Sequence, residues 1–328
     1  MTPQALLPLA ALALISLSGC QRDIYYGTTT LDIEVPANPP DLAAPLIHDV
    51  FRQRIPEKVD ILWVIDNSSS MLAEQQKLAD NFDAFLLYYR SSGLEWQIGV
   101  VSTDMQNPAE SGRLQGAAGF RWSDPFVPDP VGVFRQMALL GREGSAREQG
   151  LAAARAALSE PLISTANAGF LRSDALLSII FVTDENDFSE GFTSNQFLQF
   201  LATLKPDPEM IDVSGILGLD TTCTDRASTA YISVIEATGG AAFSICENDW
   251  TPMLQQLGIR AAGLQREFVL TQVPDVDTLQ VYIEDEGVEY LFERDVDYVY
   301  DGDANSIIFQ RYTPRATAYV HLIYDLLQ

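Results

Sequence analysis

Val59-Asp60-Ile61-Leu62-Trp63-Val64-Ile65-Asp66-Asn67-Ser68-Ser69-Ser70 is the stretch on which the fold turns. From Val59 to Ile65 the run is apolar apart from Asp60. Such a run suits a strand buried on both faces, the usual state of a strand in a parallel sheet. A polar turn at 66–70 follows. Beyond it, Leu78, Phe82, Phe85, Leu86 and Tyr89 keep one face of a helix predicted over 71–89.

Outward from this unit the same alternation repeats. Strands are predicted over 96–102, 176–183, 213–217 and 241–245. Helices are predicted over 147–158, 195–204, 226–237 and 252–264. Strands alternating with helices imply an α/β fold with a mostly parallel, doubly wound sheet over 58–264. From 265 to 328 the pattern changes. Apolar or alternating runs at 268–270, 279–284, 306–310 and 318–324 have no helices between them, and Asp301-Gly302 and Pro314 punctuate them as turns. This end reads as a small antiparallel β domain. The insert at 106–130, with Trp122 and Phe126, reads as a rim around the sheet's edge or as a small satellite core.

The chain has 328 residues, 47% of them hydrophobic, enough for a sizeable core. Its 45 acidic against 20 basic residues give a net charge of −25, which argues against a nucleic-acid partner because phosphate binding needs clustered Lys and Arg. The apolar run at 5–17 is too short to span a membrane and suits the core of a signal peptide. It ends in Leu17-Ser18-Gly19-Cys20, which resembles a bacterial lipobox. That resemblance implies a signal peptide at 1–19, cleavage before Cys20, and a diacylglycerol on its thiol. Residues 20–57, with Pro36-Ala37-Asn38-Pro39-Pro40, then read as a lipidated tether. Gln21 stands where an inner-membrane retention signal has Asp, so the expected place is the cell envelope, at the outer membrane. In an oxidising compartment Cys223 and Cys246 read as a disulfide, the alternative being two buried thiols. With only His48 and His321 in the chain and no C-x-x-C spacing, a zinc site is not expected.

The chemistry gathers where strands end. Ligands in open α/β sheets bind outside the carboxyl ends of the strands. A turn there can aim Asp66, Ser68 and Ser70 at one point, and a carboxylate with two hydroxyls is a hard oxygen set suited to Mg²⁺ or Ca²⁺. The strand at 176–183 ends at Asp184, and parallel pairing would bring both carboxylates to one crevice. Locally, Asp66 and Ser70 could instead cap the helix that follows. Asp104, Glu185 and Asp187 crowd the same edge, either as further cation ligands or as solvated loop acids.

In these features residues 58–264 resemble the von Willebrand factor A family. Its metal-ion-dependent adhesion site uses D-x-S-x-S after the first strand, matched by Asp66, Ser68 and Ser70, and an Asp after the fourth strand, matched by Asp184. The strings around 64–71, 99–105, 148–151 and 181–189 look closest to a bacterial lipoprotein subgroup. One element departs. Arg147 stands where the family has a ligand Thr, so Ser145 is the candidate for that hydroxyl, with Asp104 as a further acid ligand. The resemblance implies a non-catalytic domain that holds Mg²⁺ (or Ca²⁺ or Mn²⁺) against a protein or glycan ligand presenting a carboxylate, on a membrane anchor at Cys20. Two other readings compete. A substrate-binding lipoprotein of a transport system would need two matched α/β lobes. A metal-dependent hydrolase lacks both a second acid at position 68 and a G-x-S-x-G elbow.

Overall fold

The computed structural model describes residues 46–52, 57–92, 94–265, 267–285, 287–309, 314 and 318–327. Cys20, the segment 1–19 and most of the stretch read as a tether lie outside the described residues. In chain order the first elements are β1 (Ile47–Arg52), β2 (Lys58–Ile65), α1 (Leu72–Leu86), α2 (Tyr89–Ser92), β3 (Glu95–Ser102), α3 (Pro130–Ala138) and α4 (Gly150–Ala157). They are followed by β4 (Leu176–Thr183), α5 (Ser194–Leu201), β5 (Ile211–Leu217), α6 (Thr229–Ala237), β6 (Ala242–Ser244) and α7 (Thr251–Ala261). The chain closes with β7 (Glu267–Val269), β8 (Gln280–Asp285), β9 (Val288–Phe292), β10 (Tyr298–Asp301), β11 (Ser306–Phe309) and β12 (Tyr319–Tyr324).

Strands β3-β2-β4-β5-β6 lie side by side in that order and all pair in parallel. Alternation along the central strand β2 explains why both faces must be covered. Val59, Ile61, Trp63 and Ile65 enter one core with α1, α3 and α7, while Leu62 and Val64 enter another with α4, α5 and α6. Trp63 is fully buried and meets Phe82, Phe85 and Phe134 edge-on at 5.2–6.2 Å. Asp60 breaks the apolar run, and its buried carboxylate is met by Arg172, whose guanidinium reaches it at 2.8 Å and whose backbone N–H donates to it at 2.7 Å. The result is the mostly parallel, doubly wound α/β class expected from the alternation.

The remaining strands form two antiparallel sheets, ordered β1-β12-β8-β9 and β10-β11-β7, around a separate core that includes Phe268, Val281, Ile283, Ile307, Val320 and Tyr324. β1 departs from the tether read over 20–57. Ile47, Asp49 and Phe51 share one face of the strand. The two apolar side chains pack on this core, and Asp49 accepts from Thr271 N–H (2.8 Å), Thr271 Oγ1 (2.6 Å) and Tyr324 OH (2.7 Å). A buried acid in the middle of a six-residue strand hides the period-two pattern from a reading of the sequence. α3 is also additional to the predicted helices. It starts after Asp129, whose side chain accepts from Gly132 N–H at 2.9 Å, with Pro130 in the first turn. Cys223 and Cys246 are joined in a disulfide that ties the loop after β5 to the residues after β6. Among the described residues no helix is long and apolar enough to cross a membrane.

Candidate metal centre

Asp66 and Asp184 leave the sheet from neighbouring strands. β3 lies on one side of β2 and β4 on the other, so the ends of β2 and β4 flank the point where the winding reverses. Asp66 N–H donates to Val182 O at 2.9 Å, extending the ladder one residue past the strand. The turn that follows is pinned from behind by Gln75 of α1. Its amide donates to Asp66 O (2.9 Å) and Gly141 O (2.8 Å), and its Oε1 accepts from Gly141 N–H (3.0 Å).

Asp66 is fully buried. Its Oδ1 accepts from Ser68 N–H at 2.7 Å and its Oδ2 from Thr183 Oγ1 at 2.8 Å. Burial pushes its carboxyl up to about 6, against the pull of these donors, and the negative charge of Asp184 adds to the rise. With both oxygens engaged, Asp66 is placed to act on an ion through water. Ser68 Oγ and Ser70 Oγ lie 3.1 Å apart, Ser68 buried and Ser70 exposed, so the pair opens toward solvent. Neither Asp66 nor Ser70 caps α1. The helix begins after Met71 without any side-chain cap, while Asp66 spends Oδ1 on a local turn. After the neighbouring strand β4, Asp184 Oδ1 is buried and has no hydrogen-bond donor.

The other acids of this edge are spent differently. Asp104 accepts from Gln106 N–H (2.7 Å) and Asn107 N–H (3.1 Å) through Oδ1 and from Ser145 N–H (3.1 Å) through Oδ2. Ser145 Oγ turns back to accept from Arg147 N–H at 3.1 Å. Arg147 itself is exposed and ion-paired with Glu190 at 2.6 Å. Asp187 Oδ1 accepts from Leu151 N–H (3.1 Å) in the first turn of α4, and burial raises its pKa. Glu185 is also raised, by burial and then by Asp184, and its carbonyl accepts from Ser228 Oγ at 2.7 Å.

A residue that the sequence did not single out stands among them. Glu148 is fully buried, and neither carboxylate oxygen has a hydrogen-bond partner on another residue. Burial raises its carboxyl to about 7, with the charges of Asp66, Glu185 and Asp184 pushing the same way. The available signal was an acid two residues ahead of a glycine at the start of a helix, which reads equally well as an N-terminal helix charge. Thr183 was legible only as the last residue of a strand, yet it orients Asp66.

Two hydroxyls 3.1 Å apart, the buried Asp66 carboxylate held by Ser68 and Thr183, and a buried Asp184 oxygen without a donor form a hard donor set that fits a divalent cation. Among the described residues no group of three or more His, Cys, Asp and Glu side chains is arranged to hold a metal ion, so an ion here depends on the serines.

Among the solved structures that resemble this chain are three of proximal thread matrix protein 1 from the mussel byssus. Crystal form 2 matches at 13% identity and a TM-score of 0.44, and the structure with a zinc-occupied MIDAS motif at 15% identity and 0.42. The third matches at 14% identity and 0.39. Each alignment covers 68% of this chain and 51% of the other, so this chain spans about half the length of those proteins. No protein-family model and no curated protein sequence matches it. The fold class rests on the strand order and the two helical layers, not on these likenesses.

Proposed function

We propose that this protein is a lipid-anchored component of the bacterial cell envelope whose α/β domain binds a divalent cation, Mg²⁺ or else Ca²⁺ or Mn²⁺, and uses it to hold a protein or glycan ligand. Ser68 and Ser70 would ligate the ion, with Asp66 and Asp184 acting beside it. The ion would supply an electrophilic site that a carboxylate of the partner completes. The role is binding, without catalysis. One observation carries the reading: the hydroxyls of Ser68 and Ser70 meet at 3.1 Å without capping α1, after a strand whose parallel neighbour leads into Asp184, an oxygen of which is buried and without a donor. A single carboxylate–cation contact is weak, so the partner must add surface around it.

Titration calorimetry with Mg²⁺, Ca²⁺ and Mn²⁺ tests the cation. Wild type is expected to bind one ion, with affinity reduced at least tenfold in Asp66→Ala and in Ser70→Ala, whose side chain is exposed and whose loss leaves the fold intact. Equal titrations in wild type and both variants would remove the site. The anchor has an independent test in mass spectrometry of the mature N-terminus, where an intact chain with an unmodified Cys20 thiol excludes lipidation.

A further inference from the structure

We propose that Glu148, next in sequence to the Arg147 that stands where the resemblance has a hydroxyl ligand, is an anionic protein ligand of the cation. This rests on the cation reading above and deepens it. The argument begins with the backbone around Glu148. Its carbonyl accepts from Phe188 N–H at 2.8 Å, the next residue's N–H donates to Thr103 O at 3.0 Å, and Gly150 N–H meets Tyr231 OH at 3.2 Å. The loop after β4, the end of β3 and helix α6 therefore fix this residue from three sides. Gly150 allows the approach, since a Cβ there would lie 2.5 Å from the Tyr231 hydroxyl.

So held, the side chain is fully buried and feels the charges of Asp66, Glu185 and Asp184. Neither oxygen finds a donor on another residue. The adjacent cation, Arg147, turns outward to Glu190. A carboxylate shut among carboxylates without a donor is a costly arrangement for a fold to keep. A divalent cation beside Ser68 and Ser70 offsets it, and also answers the unpaired Asp184 oxygen. The two residues expected to supply the missing ligand are engaged elsewhere, Ser145 Oγ with Arg147 N–H and Asp104 with three backbone N–H groups. An anionic ligand raises affinity through charge count, so the ion is expected to be resident and not recruited by the partner.

The test is Mn²⁺ binding to the full-length protein, read by electron paramagnetic resonance and by thermal melting, in wild type, Glu148→Gln, Glu148→Thr and Ser70→Ala. The expected result is at least tenfold weaker Mn²⁺ binding in Glu148→Gln, with most of the Mn²⁺-induced rise in Tm lost. Without metal this variant should melt no lower than wild type, because it removes a buried charge. Glu148→Thr should fall between wild type and Glu148→Gln, and it serves alone if the Gln variant does not fold. Unchanged Mn²⁺ affinity in Glu148→Gln or in Glu148→Thr, with Ser70→Ala weakened, overturns the role of Glu148 and leaves the cation reading standing. A wild type that takes up no Mn²⁺ overturns both.

Discussion

His321 shows at the level of one residue how burial writes a pH dependence into this protein. It is buried on β12, with its ring 4.4 Å from Tyr282 in a parallel stack, and its Nδ1 lies 3.0 Å from His48 Nε2. Burial and then the charge of His48 lower its pKa, while Glu284 at 3.5 Å and the more distant Glu289 oppose the shift. A base with a depressed pKa in the folded state binds fewer protons there than in the unfolded chain. Its contribution is therefore intact above the unfolded value of 6.5 and lost as pH falls through the folded pKa. The buried acids Asp66 and Glu148, raised to about 6 and about 7, push the other way in both proteins, so the test is the difference. Between pH 7.5 and 5.5 the urea midpoint of wild type is expected to fall relative to that of His321→Phe, which keeps the stack. Parallel curves for the two proteins would show that His321 does not contribute. Burial also raises the acids Asp66 and Glu148, and on them it favours the folded state as pH falls, the opposite sign to His321.

Single long-range ties between elements can be measured one at a time. Cys223 and Cys246 are 23 residues apart and bridge the ends of β5 and β6, the outer pair of the parallel sheet. Closing a loop of that size is worth about 3 kcal/mol through the unfolded chain. The Cys223→Ser/Cys246→Ser double variant should lose about that much in urea denaturation. An unchanged midpoint would mean that β6 is secured by its packing alone. The bridge was expected from the two cysteines beyond Cys20 in a chain whose N-terminal sequence reads as an export signal. α3 was overlooked although its start signal, Asp129-Pro130, stands in the sequence, because the Pro- and Gly-rich insert before it drew the reading toward a loop.

At the scale of the whole molecule, the chain closes on itself. β1 at one end of the described residues pairs with β12 at the other, and Asp49 meets Tyr324 across 275 residues of sequence. Removing the Asp49 carboxylate leaves two hydroxyls and one backbone N–H to find other partners in a buried setting. Asp49→Ala is expected to cost about 3 kcal/mol, and Asp49→Asn less, in equilibrium unfolding. A loss below about 0.5 kcal/mol in Asp49→Ala would show that β1 is only laid on the sheet's edge. Pairing also covers one edge of β12, which would otherwise offer unpaired backbone groups to other chains. Truncation inside 47–52 is therefore a poor boundary for a soluble fragment.

The α/β class and the motif of Asp66, Ser68, Ser70 and Asp184 were readable in the sequence, because hydrophobic periodicity and strand-end polarity are local properties of the chain. Even the adjacency of the two aspartates follows once β2 and β4 are placed as parallel neighbours. Tertiary structure alone decided the rest. Whether the serines cap α1 or stay free depends on how the turn is clamped by Gln75, and whether Asp104 is free for an ion depends in part on the backbone N–H of Ser145, which the fold brings to it from 41 residues away. Glu148 is the sharpest case. Nothing near it in sequence distinguishes a solvated helix-end acid from a buried one. Its character comes from Thr103, Phe188 and Tyr231, which the fold brings around it, and from the loss of water that follows.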